Sequence, residues 1–109
     1  MKLLAVLRER EGKIEALRRS AMTEAHRLGA LLRQRFEFET LFVVGSLASG
    51  RFSRHSDMDL VIKGMKTEDF FKAYALLIRE SLYSIDLKPY EDLTAMFQAD
   101  IQKEGIKVG

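Results

Sequence analysis

Two apolar runs separated by a small-and-basic loop dominate the hydrophobic pattern of the chain. The first, Leu41-Phe42-Val43-Val44, follows a polar connector, Glu37 to Thr40, and ends on Gly45-Ser46. The second opens in alternation at Asp57-Met58-Asp59 and becomes continuously apolar over Leu60-Val61-Ile62, as a buried strand does. Together they read as a hairpin-like unit from Leu41 to Gly64, with a short helical turn over Leu47 to Gly50. Upstream, Met1 to Phe36 contains no proline and is rich in the helix formers Ala, Leu, Glu and Arg. Leu7, Ile14, Leu17, Ala21, Leu28, Leu31 and Leu32 fall mostly on one stripe. Gly12 interrupts that pattern, so two helices or one bent helix both satisfy it.

Downstream, Lys63-Gly64-Met65-Lys66 reads as a turn. Thr67 is placed to cap a helix, with Glu68 and Asp69 in its favourable first turn. That helix is expected to reach about Ser81 and to bury Phe70, Phe71, Tyr74, Leu77 and Ile78. Tyr83 to Lys88 fits a short third strand closed by Pro89. Tyr90 to Lys103 fits a last helix, with Leu93, Met96, Phe97 and Ile101 spaced to pack. Gly105 stops it, and Ile106-Lys107-Val108 fit a final strand or a tail. The fold class expected is α/β (α+β): a small mixed sheet with flanking helices and a long N-terminal helix.

The charged residues inside these strands carry the candidate chemistry. Strand residues two apart point to one face, so Asp57 and Asp59 would project together about 6.6 Å apart. That spacing suits one hard cation or a close pair, which prefer oxygen ligands and accept phosphate oxygens in the remaining positions. Gly45 lets backbone approach a phosphate, and successive N–H groups with the Ser46 hydroxyl can cradle one. Gly50 is a second permissive position, and Arg51, Arg54 and His55 bring positive charge beside the loop. Asp86 lies between apolar Ile85 and Leu87, where an ionisable group needs a partner or a metal.

Gly45-Ser46, ten residues, then Asp57-Met58-Asp59 resembles the Gly-Ser-x10-Asp-x-Asp signature of minimal nucleotidyltransferases, small members of the DNA polymerase β-like superfamily. Ala48, Gly50, Ser56 and Leu60-Val61-Ile62 fit the same pattern, and the likeness extends over roughly residues 36–109. The resemblance implies a nucleotidyltransferase fold and a third carboxylate in the pattern apolar-Asp-apolar, which Asp86 matches. It implies catalytic and metal-binding roles for Asp57, Asp59 and Asp86, phosphate binding by Gly45 and Ser46, two Mg²⁺ ions, and ATP as donor. Minimal nucleotidyltransferases commonly act as antitoxins beside a helical HEPN partner, and some attach AMP to a tyrosine of it. The resemblance therefore implies a protein acceptor. The position after Gly-Ser is often basic in those antitoxins; here it is Leu47, and Arg51 is the candidate to compensate. Residues 1–35 then form an N-terminal helical extension on a domain of residues 36–109, in one structural domain. That extension either packs across its own sheet or, over residues 1 to about 20, also contacts a partner.

Composition narrows these readings. A chain of 109 residues, 47% hydrophobic and 31% charged, suits one soluble domain. The absence of cysteine excludes disulfides and thiolate metal sites. No apolar run approaches a membrane span, and a cytoplasmic protein is expected. A net charge of +2, with no basic-aromatic stripe, gives no ground for direct nucleic-acid binding. A homo-oligomer stays open. Each candidate also has an ordinary reading: Asp57 as a turn residue, Asp86 as a structural ion-pair partner, and Arg51 and Arg54 as solvated loop charges. His55 reads as a surface histidine, Glu91 and Asp92 as first-turn helix residues, and Tyr74 and Tyr83 as core. The competing function is a binding module that neutralises or organises a helical partner by contact.

Overall fold

The computed structural model describes residues 2–109. Met1, part of the expected extension, lies outside them. The elements follow in the order α1 (Lys2–Arg35), β1 (Thr40–Val44), α2 (Gly45–Ser49), β2 (Met58–Lys63), α3 (Thr67–Glu80), β3 (Ile85–Pro89), a 3-10 turn (Tyr90–Asp92), α4 (Ala95–Glu104) and β4 (Ile106–Lys107). The strands form one mixed sheet in the order β3-β2-β1-β4. β1 pairs antiparallel with β2 and with β4, and β2 pairs parallel with β3. The antiparallel pair is joined by the loop that contains α2, whereas the parallel pair needs a crossover, which α3 provides.

The strands alternate between two apolar layers. Leu41, Val43, Leu60, Ile62 and Leu87 meet Ala21, Ala25, Leu28 and Leu32 of α1 and Ala73, Leu76 and Leu77 of α3. The α1 residues recur every three or four positions, so a single stripe of that helix enters the core. On the other face Phe42, Val61 and Ile101 form a smaller layer with Val44, Tyr90 and Leu93. Phe42 and Tyr90 stack there with ring centroids 6.2 Å apart. The C-terminus closes the first layer: Leu41 N–H donates to the Gly109 carbonyl at 2.9 Å and Val108 N–H to the Leu41 carbonyl at 2.9 Å.

Several boundaries differ from the sequence expectation. α1 is a single helix of 34 residues that runs through Gly12, whose surroundings hold no atom within 4 Å of an added Cβ. Leu7 and Ile14, expected on the packed stripe, remain 42% and 50% exposed because α1 outruns the sheet. Thr67 is the first residue of α3 rather than its cap; Lys66 takes that position without a side-chain bond. Phe71 and Ile78, expected inside, are 73% and 61% exposed, because α3 turns only the side bearing Ala73, Leu76 and Leu77 to the sheet. β3 starts at Ile85 rather than Tyr83 and includes Pro89, which an edge strand tolerates. The expected last helix is split. Its first residues wind as a 3-10 turn, and Thr94, accepting from Phe97 N–H at 3.2 Å, caps a new helix. Met96 and Phe97 face outward on it.

One carboxylate lies inside the layer between α1 and α3. Glu24 is 4% exposed. It accepts from Arg27 Nε at 2.5 Å and from Leu82 N–H at 2.8 Å, and Arg27 donates onward to the Glu80 carbonyl at 2.7 Å. These bonds tie the middle of α1 to the end of α3. The Arg27 hydrogen bond is the main cause that holds the Glu24 carboxyl below its usual range, against the opposing effect of burial. A depressed carboxyl stabilises the fold above its unfolded pKa of about 4.3, and that contribution is lost as pH falls through the lower folded value. Glu24→Gln is therefore expected to cost about 1–3 kcal/mol at pH 7. The deficit should shrink once pH passes below the folded value of Glu24, as urea titrations across the acid range would show.

Candidate functional site

β1, β2 and β3 bring Gly45, Asp59 and Asp86 to one end of the sheet. Val44, the last residue of β1, stands opposite Asp59 of β2. Asp59 in turn stands opposite Asp86 of β3. Adjacent strands run about 4.8 Å apart, so the two carboxylates project side by side from one face. That face is the Phe42–Val61 face, away from α1.

Gly45 turns the chain from β1 into α2 with φ 65°, a left-handed value that glycine adopts without cost. A Cβ at this position would overlap Asp59 Oδ2 and lie 3.2 Å from its Cγ. The turn and the carboxylate are therefore in direct apposition. Ser46 follows, and its carbonyl accepts from Arg51 N–H at 2.8 Å and from Ser49 Oγ at 3.2 Å, which closes the short helix. Gly50, with φ 83°, ends it. On the opposite side of α2, Arg18 of α1 donates to the Leu47 carbonyl at 3.3 Å.

The electrostatics show how close the acidic groups are. Burial lifts the Asp59 carboxyl above its ordinary range, and the charge of Asp86 lifts it further. Lys88 pulls it back, and Asp57 adds a smaller upward push. Lys88 bonds Asp86 directly along β3, and that bond is the main cause that raises the Lys88 ammonium. The carboxylate pair thus carries a built-in counter-ion.

The expected site residues divide accordingly. Gly45, Ser46, Asp59 and Asp86 share one end of the sheet. Asp57 precedes β2 rather than lying within it, and is exposed. It stands next to the first residue of β2, and its charge is felt at Asp59. Arg51 is exposed beyond α2, and its contact with the turn is through its backbone. Asp86 does have the lysine partner that its ordinary reading required. Sequence reasoning missed Lys88 and Arg18. Lys88 had a signal, since it follows Asp86 by two residues in a strand and so shares its face. Arg18 had none, standing 29 positions from the carbonyl it meets.

A cleft of about 510 Å³ opens beside the Gly45 turn. Val44, Gly45, Ala48 and Ser49 line one side, and Phe97, Asp100, Ile101, Glu104 and Gly105 the other. A mostly apolar cleft of this size next to convergent polar groups can hold a small ligand. Among the described residues no group of three or more His, Cys, Asp or Glu side chains stands ready to hold a metal ion. The Asp59–Asp86 pair still suits a hard cation that arrives with a phosphate ligand, because Mg²⁺ commonly takes one or two carboxylates and completes its shell with phosphate oxygens and water.

The mixed sheet, flanking helices and long first helix are those of the nucleotidyltransferase fold, as solved structures bear out. A toxin–antitoxin structure with AMP-PNP superposes with a TM-score of 0.63 at 15% identity, over 81% of this chain and 72% of that one. Two mutants of the toxin–antitoxin pair MntA-HpeT give TM-scores of 0.63 and 0.61 at 12% and 16% identity, over 78% and 76% of this chain and 71% and 69% of theirs. The chain belongs to the polymerase beta nucleotidyltransferase family, whose model matches residues 26–108. No curated protein matches it.

The shared charge of the pair is open to direct measurement. In Asp86→Asn the neighbouring negative charge disappears while Lys88 remains, so Asp59 should titrate at lower pH than in the native chain. Carboxyl-carbon NMR would follow that midpoint; an unchanged or higher value would contradict the arrangement described.

Proposed function

We propose that this chain is a metal-dependent nucleotidyltransferase that moves AMP from ATP to a hydroxyl of a protein partner, a HEPN-type toxin, and thereby acts as an antitoxin. The observation that carries this reading is the apposition of Gly45 with Asp59 and, one strand on, with Asp86. Family membership and the likeness to toxin–antitoxin structures support it.

The division of labour follows from position. The Gly45–Ser46 turn receives the β- and γ-phosphates on backbone N–H groups and the serine hydroxyl. Asp57, Asp59 and Asp86 would hold Mg²⁺, which when bound would supply charge stabilisation at the attacking and leaving oxygens. Asp86 faces the acceptor and takes its hydroxyl proton. The acceptor oxygen then bonds to the α-phosphorus, the bond from that phosphorus to the bridging oxygen breaks, and pyrophosphate leaves. The cleft between α2 and α4 lies within reach of the turn and offers Phe97 and Ile101 to the nucleoside.

A second reading has a specific observation behind it. Lys88 already neutralises Asp86, and Asp57 stands outside β2, which suits a chain that neutralises its toxin by contact alone. Incubation with labelled ATP, Mg²⁺ and the toxin separates the two. The transferase reading expects label on the toxin, reduced at least ~10²-fold in Asp59→Asn, in line with the loss of a group that stabilises transition-state charge. Gly45→Ala should fail comparably, because its Cβ would displace Asp59. Full neutralisation of the toxin by these variants, with no label in any sample, would establish the contact reading instead.

A further inference from the structure

Two carboxylates stand on the α4 wall of the cleft, apart from the Asp59–Asp86 pair. Phe97, Asp100, Ile101 and Glu104 all line the cleft, and their spacing of three and four places them on one face of α4. Ile101 is buried against Phe42 and Val61, whereas Asp100 and Glu104 are exposed beside it. Among the described residues neither carboxylate forms an ion pair, although Lys103 stands on the same helix.

The sheet fixes where this wall lies. Ile106 of β4 pairs with Val43 of β1. Gly105 therefore comes level with Val44, and the last turn of α4 ends beside the Gly45 turn. Glu104 is the nearer of the two carboxylates, and Asp100 follows about 6 Å back along the helix. The polar character of the cleft is one-sided. Ionised Asp100 and Glu104 only accept hydrogen bonds. On the facing wall the Ser49 hydroxyl donates to the Ser46 carbonyl at 3.2 Å, which leaves its oxygen to accept. No side chain that lines the cleft carries a positive charge. Phosphate, itself an anion and an acceptor, is repelled from the α4 wall. A ligand group seated there must bring donors.

In the nucleotidyltransferase reading, on which this inference rests, the phosphates lie on the Gly45–Ser46 turn and the nucleoside extends into the cleft. The first donors beyond the phosphates are the ribose hydroxyls, a vicinal pair that matches the two oxygens of a carboxylate. The adenine ring brings a single exocyclic amine and otherwise presents acceptors, so it gains less from this wall. We propose that Asp100 and Glu104 hold the ribose 2′- and 3′-hydroxyls and make the chain selective for ribonucleotides. The same two charges orient the nucleotide, turning its phosphate tail towards Gly45 and leaving Ile101 and Phe97 to the base.

Isothermal titration calorimetry of the full chain with ATP and with 2′,3′-dideoxy-ATP, each with Mg²⁺ and without toxin, tests this. The two ligands carry the same charge, so the ratio of their affinities cancels the effect of net charge at the site. The native chain is expected to bind ATP at least about tenfold more tightly, as hydrogen bonds to charged acceptors give. In Asp100→Ala with Glu104→Ala the ratio should fall to about one. Circular dichroism should stay unchanged, since both residues are exposed. Equal affinities in the native chain, or a ratio that survives the double substitution, would overturn the ribose assignment and leave the transferase reading standing. A native chain that binds neither ligand would remove both.

Discussion

The absence of a side chain at Gly45 is the constraint on which the candidate site depends. β1 and β2 are locked in antiparallel register with Val44 level with Asp59. The next residue must turn out of the strand through a left-handed conformation directly over the Asp59 carboxylate, and a Cβ there would occupy the space of Oδ2. Glycine satisfies both demands at once. The β2–β3 pairing then fixes Asp86 beside Asp59, and the hydrogen bonds to the Ser46 carbonyl fold α2 over the turn. Anion-receptive backbone and cation-receptive carboxylates are thus set side by side by one register and one missing methyl group.

What was legible in the sequence follows the range of the interactions involved. The strands of β1 and β2 declared themselves through continuous apolar runs, and the Gly-Ser-x10-Asp-x-Asp spacing held the two halves of the site together because both lie in one hairpin-like unit. Asp86 was legible as a charge between Ile85 and Leu87, an anomaly in a strand. Other features depend on contacts that cross the chain. Whether Asp57 lies inside β2 turns on where pairing with β3 begins, and Met58 N–H bonding to the Ser84 carbonyl sets that limit. The split of the last helix was written in Thr94, a good cap residue, but the apolar spacing of Leu93, Met96 and Phe97 masked it. Phe71 and Ile78 misled because apolar residues occur on more than one side of α3: the side bearing Ala73, Leu76 and Leu77 meets the sheet, and Phe71 and Ile78 lie on the other.

The long first helix couples these levels. Its C-terminal half supplies the aliphatic wall under the sheet, and Glu24 with Arg27 fastens it to the end of α3. Its middle reaches the candidate site through Arg18, which bonds the Leu47 carbonyl of the helix that follows the Gly45 turn. α1 runs from Lys2 to Arg35 with each turn hydrogen-bonded to the next. Gly12, although unfavourable in a helix interior, does not break the rod.

The charge balance at the site leads to a final step. Asp59 is held above its ordinary titration range first by burial and then by Asp86. A carboxyl whose folded pKa exceeds its unfolded value supports the fold at low pH and loses that support as pH rises through the folded value. The charge of Asp86 works against an ionised Asp59, and Lys88 offsets part of that effect. Such tension is common where a site is organised for a ligand rather than for stability. A divalent cation placed against the pair would add to the counter-charge that Lys88 supplies. The two carboxylates set against each other beside Gly45 are thus the groups that the proposed reading assigns to the metal.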